Sequence, residues 1–258
     1  MNRIVNRPIV GGLDIFVIIG QSNAVGLATI SEAESAILNW SPDERSMIWN
    51  QSLFQTEPLD IGTNNQLGCP DAPAGTDFGI EMPISVGQAE QGRRTLIIKS
   101  ATYGSSLYSD WDPFTGTNDY ETAWTAVASA KSILGGKYET RWNFMWLQGE
   151  EDAKGTYGGG VEFYYQAYLT QLITGMRFFC GDAAAPFVCA KLSALDLFTD
   201  PILFPDMDLV NTAMDNVAAL DSNVYAVPST LWDRKTDVVH FDAVGIVEAG
   251  DDMLAAIT

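Results

Sequence analysis

Short, mostly apolar runs recur along the chain at residues 15–19, 46–50, 95–99, 142–147, 187–192 and 224–227. Those without alternation read as strands buried on both faces of a parallel sheet. Between them lie stretches with helical spacing. Residues 23–38 form one such stretch, and 78–89 read as a loop entering a helix with Pro83 in its first turn. Residues 118–134 follow, with Tyr120, Trp124, Val127 and Ile133 repeating at that spacing before Gly135 and Gly136. Residues 161–176 put Tyr164, Tyr168, Leu172 and Ile173 on one face, and 209–220 and 244–257 complete the set. This alternation predicts an α/β chain, a three-layer α/β/α sandwich around a central, mostly parallel, flavodoxin-like sheet. Residues 51–77, rich in Gly, Pro, Asn and Asp, are expected to be one long loop. Trp49 and Phe54 border it, either as a sugar-stacking wall or as pins to the core.

The polar residues that interrupt this pattern fall where a parallel sheet places its ligands, beyond the carboxyl ends of the strands. The first strand stops at Gly20-Gln21-Ser22-Asn23, the third runs into a Gly/Ser-rich loop containing Gly104, and the fourth ends in Gln148-Gly149-Glu150. A helix starting after Ser22 would aim its N–H groups at that side chain. Taken alone, Gly20-Gln21-Ser22-Asn23 reads first as an ordinary turn with Asn23 as a helix cap, and the histidine far downstream changes that reading. The single histidine, His240, stands three residues after Asp237. Acyl transfer by serine needs a base, a group to orient it and donors for an oxyanion. Ser22 is the candidate nucleophile, His240 the base and Asp237 its partner. The Ser22 and Gly104 N–H groups and the Gln148 amide are the candidate donors. Glu150, Glu151 and Asp152 read alternatively as a solvated acidic loop or a hard-cation site.

Composition narrows the field of partners. With 258 residues, 47% hydrophobic, the chain can bury a large core, and no compositional break divides it, so one domain over 1–258 is expected. A net charge of -19, from 33 acidic and 14 basic residues, repels phosphate backbones and anionic membranes, so neither nucleic acid nor membrane is expected as a partner. It also leans towards a neutral substrate, a preference that one well-placed base such as Arg141 would reverse. Residues 1–8 lack the apolar core of a secretory signal, so a cytoplasmic address is the default, with an extracellular or virion setting left open. Cys69, Cys180 and Cys189 have no metal-ligand spacing and an odd count. No cofactor or metal is expected, and oligomeric state is left open.

Four blocks carry a resemblance: Gly20-Gln-Ser-Asn23; Lys99-x-Ala-x-x-Gly-x-Ser-Leu107 with Trp111; Trp146-x-Gln-Gly-Glu-x-Asp152; and Asp237-x-x-His-Phe241 with Gly245. In order and spacing the chain resembles the SGNH (GDSL-like) hydrolases, in the branch of carbohydrate esterase family 6 and the sialate O-acetylesterase-like domain. The resemblance implies Ser22 as nucleophile, His240 as base, Gly104 and Gln148 as oxyanion donors, and removal of O-acetyl groups from a glycan such as acetylxylan. It leaves the acid open between Asp237, which is favoured, and Glu150. Gln21, Asn23 and Tyr103 are expected to meet substrate. Ala24 and Tyr103 depart from the usual Met and Gly of these blocks, and Tyr103 is expected to reshape the acyl pocket. A catalytically silent glycan-binding module on the same fold is the alternative.

Overall fold

The computed structural model describes residues 11–32, 45–116, 118–193, 203–237 and 239–258. Seven strands form one sheet: β1 (Gly12–Gly20), β2 (Ser46–Asn50), β3 (Gln55–Pro58), β4 (Thr95–Ala101), β5 (Glu139–Leu147), β6 (Phe187–Ala190) and β7 (Val224–Val227). Their order is β3-β2-β4-β1-β5-β6-β7, parallel at every pairing except β2 with β3. The helices are α1 (Ser22–Val25), α2 (Glu81–Glu90), α3 (Asn118–Leu134), α4 (Glu150–Ala153), α5 (Val161–Cys180), α6 (Met207–Leu220) and α7 (Ala243–Ala255). Among the described residues no helix is long and apolar enough to cross a membrane.

The unbroken apolar runs feed two cores, one on each face of the sheet. Ile15, Val17 and Ile19 of β1 join Leu96, Ile98, Phe144 and Trp146 against α3, α5 and α6. Phe16 and Ile18 point the other way, with Ile97, Met145 and Val188, against α2 and α7. Successive strand residues face opposite sides, so a strand covered on both must be apolar at every position. Burying each such side chain contributes about 1.5–3 kcal/mol.

Two expectations need correction. Residues 51–77 are not a single loop, because β3 pairs antiparallel with β2 as an edge hairpin. Its sequence, Gln-Thr-Glu-Pro, carries no apolar run, since an edge strand with half-exposed sides has little to bury. Asn50 closes this hairpin, its Oδ1 accepting from the Leu53 N–H and its amide donating to Glu57. Trp49 is 2% exposed and belongs to the core, whereas Phe54 stands out at the hairpin turn. The helix expected over 23–38 stops after one turn, because Gly26 (φ 82) redirects the chain and its backbone lies directly against Gly79. Residues 33–38 lie outside the described residues.

Candidate active site

β1 sits between β4 and β5, and the register pairs Gly20 with Ala101 on one side and with Leu147 on the other. Three strands therefore end at one level, and the loops carrying Ser22, Gly104 and Gln148 leave the sheet side by side. Gly20 has φ 138, and a Cβ there would lie 2.2 Å from the Leu147 carbonyl oxygen. Only glycine permits so tight an exit from the strand. The Gln21 N–H donates to the same carbonyl at 2.9 Å, and α1 begins at Ser22. With four residues, α1 has little macrodipole to offer. What it does supply is the Ser22 N–H, which, like that of Gly104, has no acceptor among the described residues.

The loop after β7 brings His240 across to Ser22. Its Nε2 lies 2.9 Å from Ser22 Oγ, and its Nδ1 lies 2.7 Å from Asp237 Oδ2. The other Asp237 oxygen accepts from the Val239 and His240 N–H groups at 3.0 and 2.9 Å, a local turn that the i, i+3 spacing makes possible. Partial burial pushes the Asp237 carboxyl up, but the bonds from the His240 backbone and ring and from the Val239 N–H outweigh it, and the group titrates below the ordinary aspartate value. Glu150 does not reach the imidazole by any hydrogen bond. Its Oε1 accepts from Asn23 Nδ2 at 2.7 Å, and Asn23 in turn donates to the Val239 carbonyl and accepts from the Phe241 N–H. Asn23 thus grips the backbone on both sides of His240.

Residues 12–258 match the carbohydrate esterase, sialic acid-specific acetylesterase family. The chain belongs to that family. Members of it act as carbohydrate acetylesterases, and acetyl-ester hydrolysis on carbohydrate is the activity this membership brings. The solved structures it resembles include a protein from Arabidopsis thaliana, with 16% identity, 95% of this chain and 97% of that one covered, and a TM-score of 0.74. A carbohydrate acetylesterase from Xanthomonas citri has 16% identity over 94% of this chain and 55% of that one, with a TM-score of 0.61. An acetyl xylan esterase from Geobacillus stearothermophilus has 12% identity over 98% and 96%, with a TM-score of 0.50. At these identities the likeness is one of fold. Comparison with curated protein sequences gave no match.

Around Ser22 and His240 several residues expected to meet substrate serve as internal braces. Gln21 and Asn23 are each 3% exposed. Gln21 Oε1 accepts from Gln148 Nε2 and the Glu151 N–H, and every polar atom of the Asn23 amide is engaged by the groups named above. Gln148 Nε2 faces Asp152 Oδ2 at 2.6 Å, the Ser105 carbonyl at 3.1 Å and Gln21 at 3.3 Å. An amide has two hydrogens, so Gln148 has none left for an oxyanion in this arrangement and instead ties the Gly104 loop to α4. Tyr103 alone of the expected substrate residues is open, with its ring 5.5 Å from that of His240. Arg141 lies near the amino end of β5, at the other end of the strands from Ser22, paired with Asp14 at the start of β1, and cannot serve a substrate at Ser22.

Asp152 closes the third block and was read from its residue type as part of a solvated acidic loop or a hard-cation site, yet it is fully buried. It accepts from the Leu107 and Tyr108 N–H groups, from Gln148 and from the Tyr164 hydroxyl. Tyr165, unmarked in the sequence, places its hydroxyl 2.9 Å from both oxygens of Gln148 and receives the Trp146 indole N–H. Neither the family's short blocks nor periodicity separates such a brace from an ordinary core tyrosine. Burial pushes the Asp152 carboxyl up to about 6, against the lowering effect of its four donors. The folded chain therefore binds this proton more tightly than the unfolded one does. The stabilising contribution is fully present below about pH 4 and is lost as pH rises through about 6, a change on the order of 2–3 kcal/mol. Urea unfolding of wild type and Asp152→Asn at about pH 4.5 and about pH 8 checks this. The difference between the two proteins is expected to shift in favour of wild type at acid pH, and a pH-independent difference would refute the raised carboxyl.

Proposed function

We propose that this chain is a serine esterase that removes O-acetyl groups from carbohydrate through an acetyl-enzyme intermediate. The observation that carries the reading is the continuous relay from Ser22 Oγ through the imidazole of His240 to the Asp237 carboxylate, at 2.9 and 2.7 Å. Ser22 Oγ attacks the acetyl carbonyl while His240 Nε2 takes its proton, and Asp237 holds the Nδ1–H tautomer and offsets the imidazolium charge. The oxyanion develops against the Ser22 and Gly104 N–H groups, each donor of this kind being worth about 10²- to 10³-fold in rate. Collapse expels the sugar oxygen, which takes the proton from His240. Water, deprotonated by the same nitrogen, then attacks the acetyl-enzyme and releases acetate and free Ser22.

Asp237 is the acid in this scheme and Glu150 a positioning residue acting through Asn23. Asp237→Asn is expected to lower kcat by roughly 10³- to 10⁴-fold through loss of the right tautomer. Glu150→Gln is expected to cost at most about 10²-fold, the scale of a slightly misplaced group. Acetate release from p-nitrophenyl acetate and from acetylated xylan measures both, and the reverse ranking would make Glu150 the acid. If the wild type bound glycans yet released acetate from no acetylated ligand, the silent binding module would replace the esterase.

A further inference from the structure

The loop after β4 carries two exposed tyrosines, Tyr103 and Tyr108, on either side of Gly104. Tyr103 stands over His240, and Tyr108 opens onto a cluster of aromatic rings. Its ring lies 4.7 Å from Tyr157 in a stacked pair, 5.1 Å from Tyr164 edge-on, and 6.2 Å from Tyr168 with only 1° between the planes. Phe114 meets Tyr168 edge-on at 5.0 Å. Tyr108 is 42% and Phe114 61% exposed, while Tyr157, Tyr164 and Tyr168 are half-buried beside them, so the cluster opens to water at its rim. An exposed patch of this kind is a mark of a binding surface. The rings are also held in place beforehand. The Leu107 and Tyr108 N–H groups are both fixed by buried Asp152, which also takes the Tyr164 hydroxyl. Four residues of chain span at most about 14 Å, so a ligand of a few sugar rings reaches from Gly104 to this cluster.

Charge decides which ligand fits. Asp110 and Asp112 lie in the same loop, and Asp112 acts electrostatically on the Tyr168 hydroxyl. Lys154, the base nearest in sequence to Tyr157, is paired with Glu151. A carboxylated sugar would meet repulsion here, whereas the C–H face of a neutral pyranose matches the negative face of an aromatic ring. We propose that Tyr108, Tyr157 and Tyr168, with Phe114, form a stacking subsite for an unacetylated ring of a neutral oligosaccharide whose neighbouring, acetylated unit lies at Ser22. The subsite deepens the esterase reading and rests on it for the position of the acetyl group. The substrate class is then a neutral oligo- or polysaccharide and not a free acidic monosaccharide.

Binding is measured first, because it needs no turnover. Xylohexaose, xylose and N-acetylneuraminic acid are titrated calorimetrically into wild type, Tyr157→Ala and a distant control, Phe178→Ala, whose ring is exposed elsewhere on α5. Saturable binding is expected for xylohexaose, weaker binding for both monosaccharides, and an affinity for xylohexaose reduced roughly fivefold to tenfold in Tyr157→Ala but not in Phe178→Ala. Tyr157 makes no side-chain hydrogen bond to the brace around Asp152, and circular dichroism confirms that its variant is folded. In turnover, the ratio of kcat/KM on acetylated xylohexaose to that on p-nitrophenyl acetate is expected to fall by a similar factor, through KM. Equal xylohexaose affinity in wild type and Tyr157→Ala, no saturable binding of xylohexaose, or binding of N-acetylneuraminic acid as tight as that of the hexaose would each overturn the subsite. Failure of the esterase reading shows separately, as binding without acetate release.

Discussion

Replacing Ser22 by alanine is expected to lower kcat for acetate release by about 10⁵- to 10⁶-fold, and His240→Ala by nearly as much. In the proposed mechanism Ser22 and His240 act on one proton, so removing either leaves the other without a task, and the double variant is expected to be no slower than the single ones. The fold should survive. Among the described residues the Ser22 hydroxyl has one side-chain partner, the imidazole, and losing one such bond costs only about 0.5–1.5 kcal/mol. What persists is the slow reaction supported by the Ser22 and Gly104 N–H groups and by substrate binding. The measurement is acetate release by the three variants and wild type under saturating p-nitrophenyl acetate, with thermal unfolding alongside. A Ser22→Ala protein that keeps more than a hundredth of wild-type kcat would exclude serine as the nucleophile, and additive losses in the double variant would mean that the two residues do not share a step.

The second large effect lies beneath the turn that carries Ser22. Lys99 and Glu81 form an ion pair in which both side chains are wholly buried, with Nζ and Oε2 2.8 Å apart. The same ammonium donates to the Val25 carbonyl at 2.8 Å, at the end of the turn that carries Ser22, and the second Glu81 oxygen accepts from the Gly79 N–H at 2.7 Å. Lys99 is thus the cation that joins α1 to the entry of α2. Lys99→Met strands a buried carboxylate and an unpaired carbonyl, and is expected to cost about 3–5 kcal/mol of stability. Activity should fall as well, since Val25 is no longer held and Ser22 sits on the same single turn. Replacing both partners, as Lys99→Met with Glu81→Leu, removes the uncompensated charge and should recover part of the loss. Recovery stays incomplete because the Val25 carbonyl still lacks a partner and the Gly79 N–H now loses its own. Urea midpoints of the wild type, the single variant and the double variant test this ordering. A single-variant loss below about 1 kcal/mol would contradict it.

The extent to which the sequence was readable follows from the range over which each signal acts. The central strands were legible because both of their faces are covered, so Ile15 to Ile19 is apolar at every position. β3 was not, because an edge hairpin of Gln-Thr-Glu-Pro buries almost nothing and Asn50 closes it through side-chain bonds that leave no pattern. The helix expected over 23–38 failed at Gly26, where the close approach of Gly79, more than fifty residues away, outweighs local propensity. In the site, the Asp237 and His240 pairing was legible as an i, i+3 contact. The four-residue segment from Gln148 to Glu151 gave no hint that Gln148 would spend its amide on Asp152, nor that Glu150 would bond to Asn23 beneath the histidine loop.

Sequence alone therefore determined what depends on local chemistry and one-dimensional order: the α/β alternation, the positions of the reactive residue types at the ends of strands, and the acidic balance that disfavours anionic ligands. Tertiary structure decided which of those residues meet. Ser22 and His240 stand 218 positions apart and share a hydrogen bond only because β1 is central and the loop after β7 folds back over its end. The sharing of Asp152 among four donors, the burial of Lys99 with Glu81, and the gathering of Tyr108, Tyr157 and Tyr168 are likewise products of strand order and register. Each depends on side chains from distant segments being brought within bonding distance, and spacing along a single chain carries no measure of that distance.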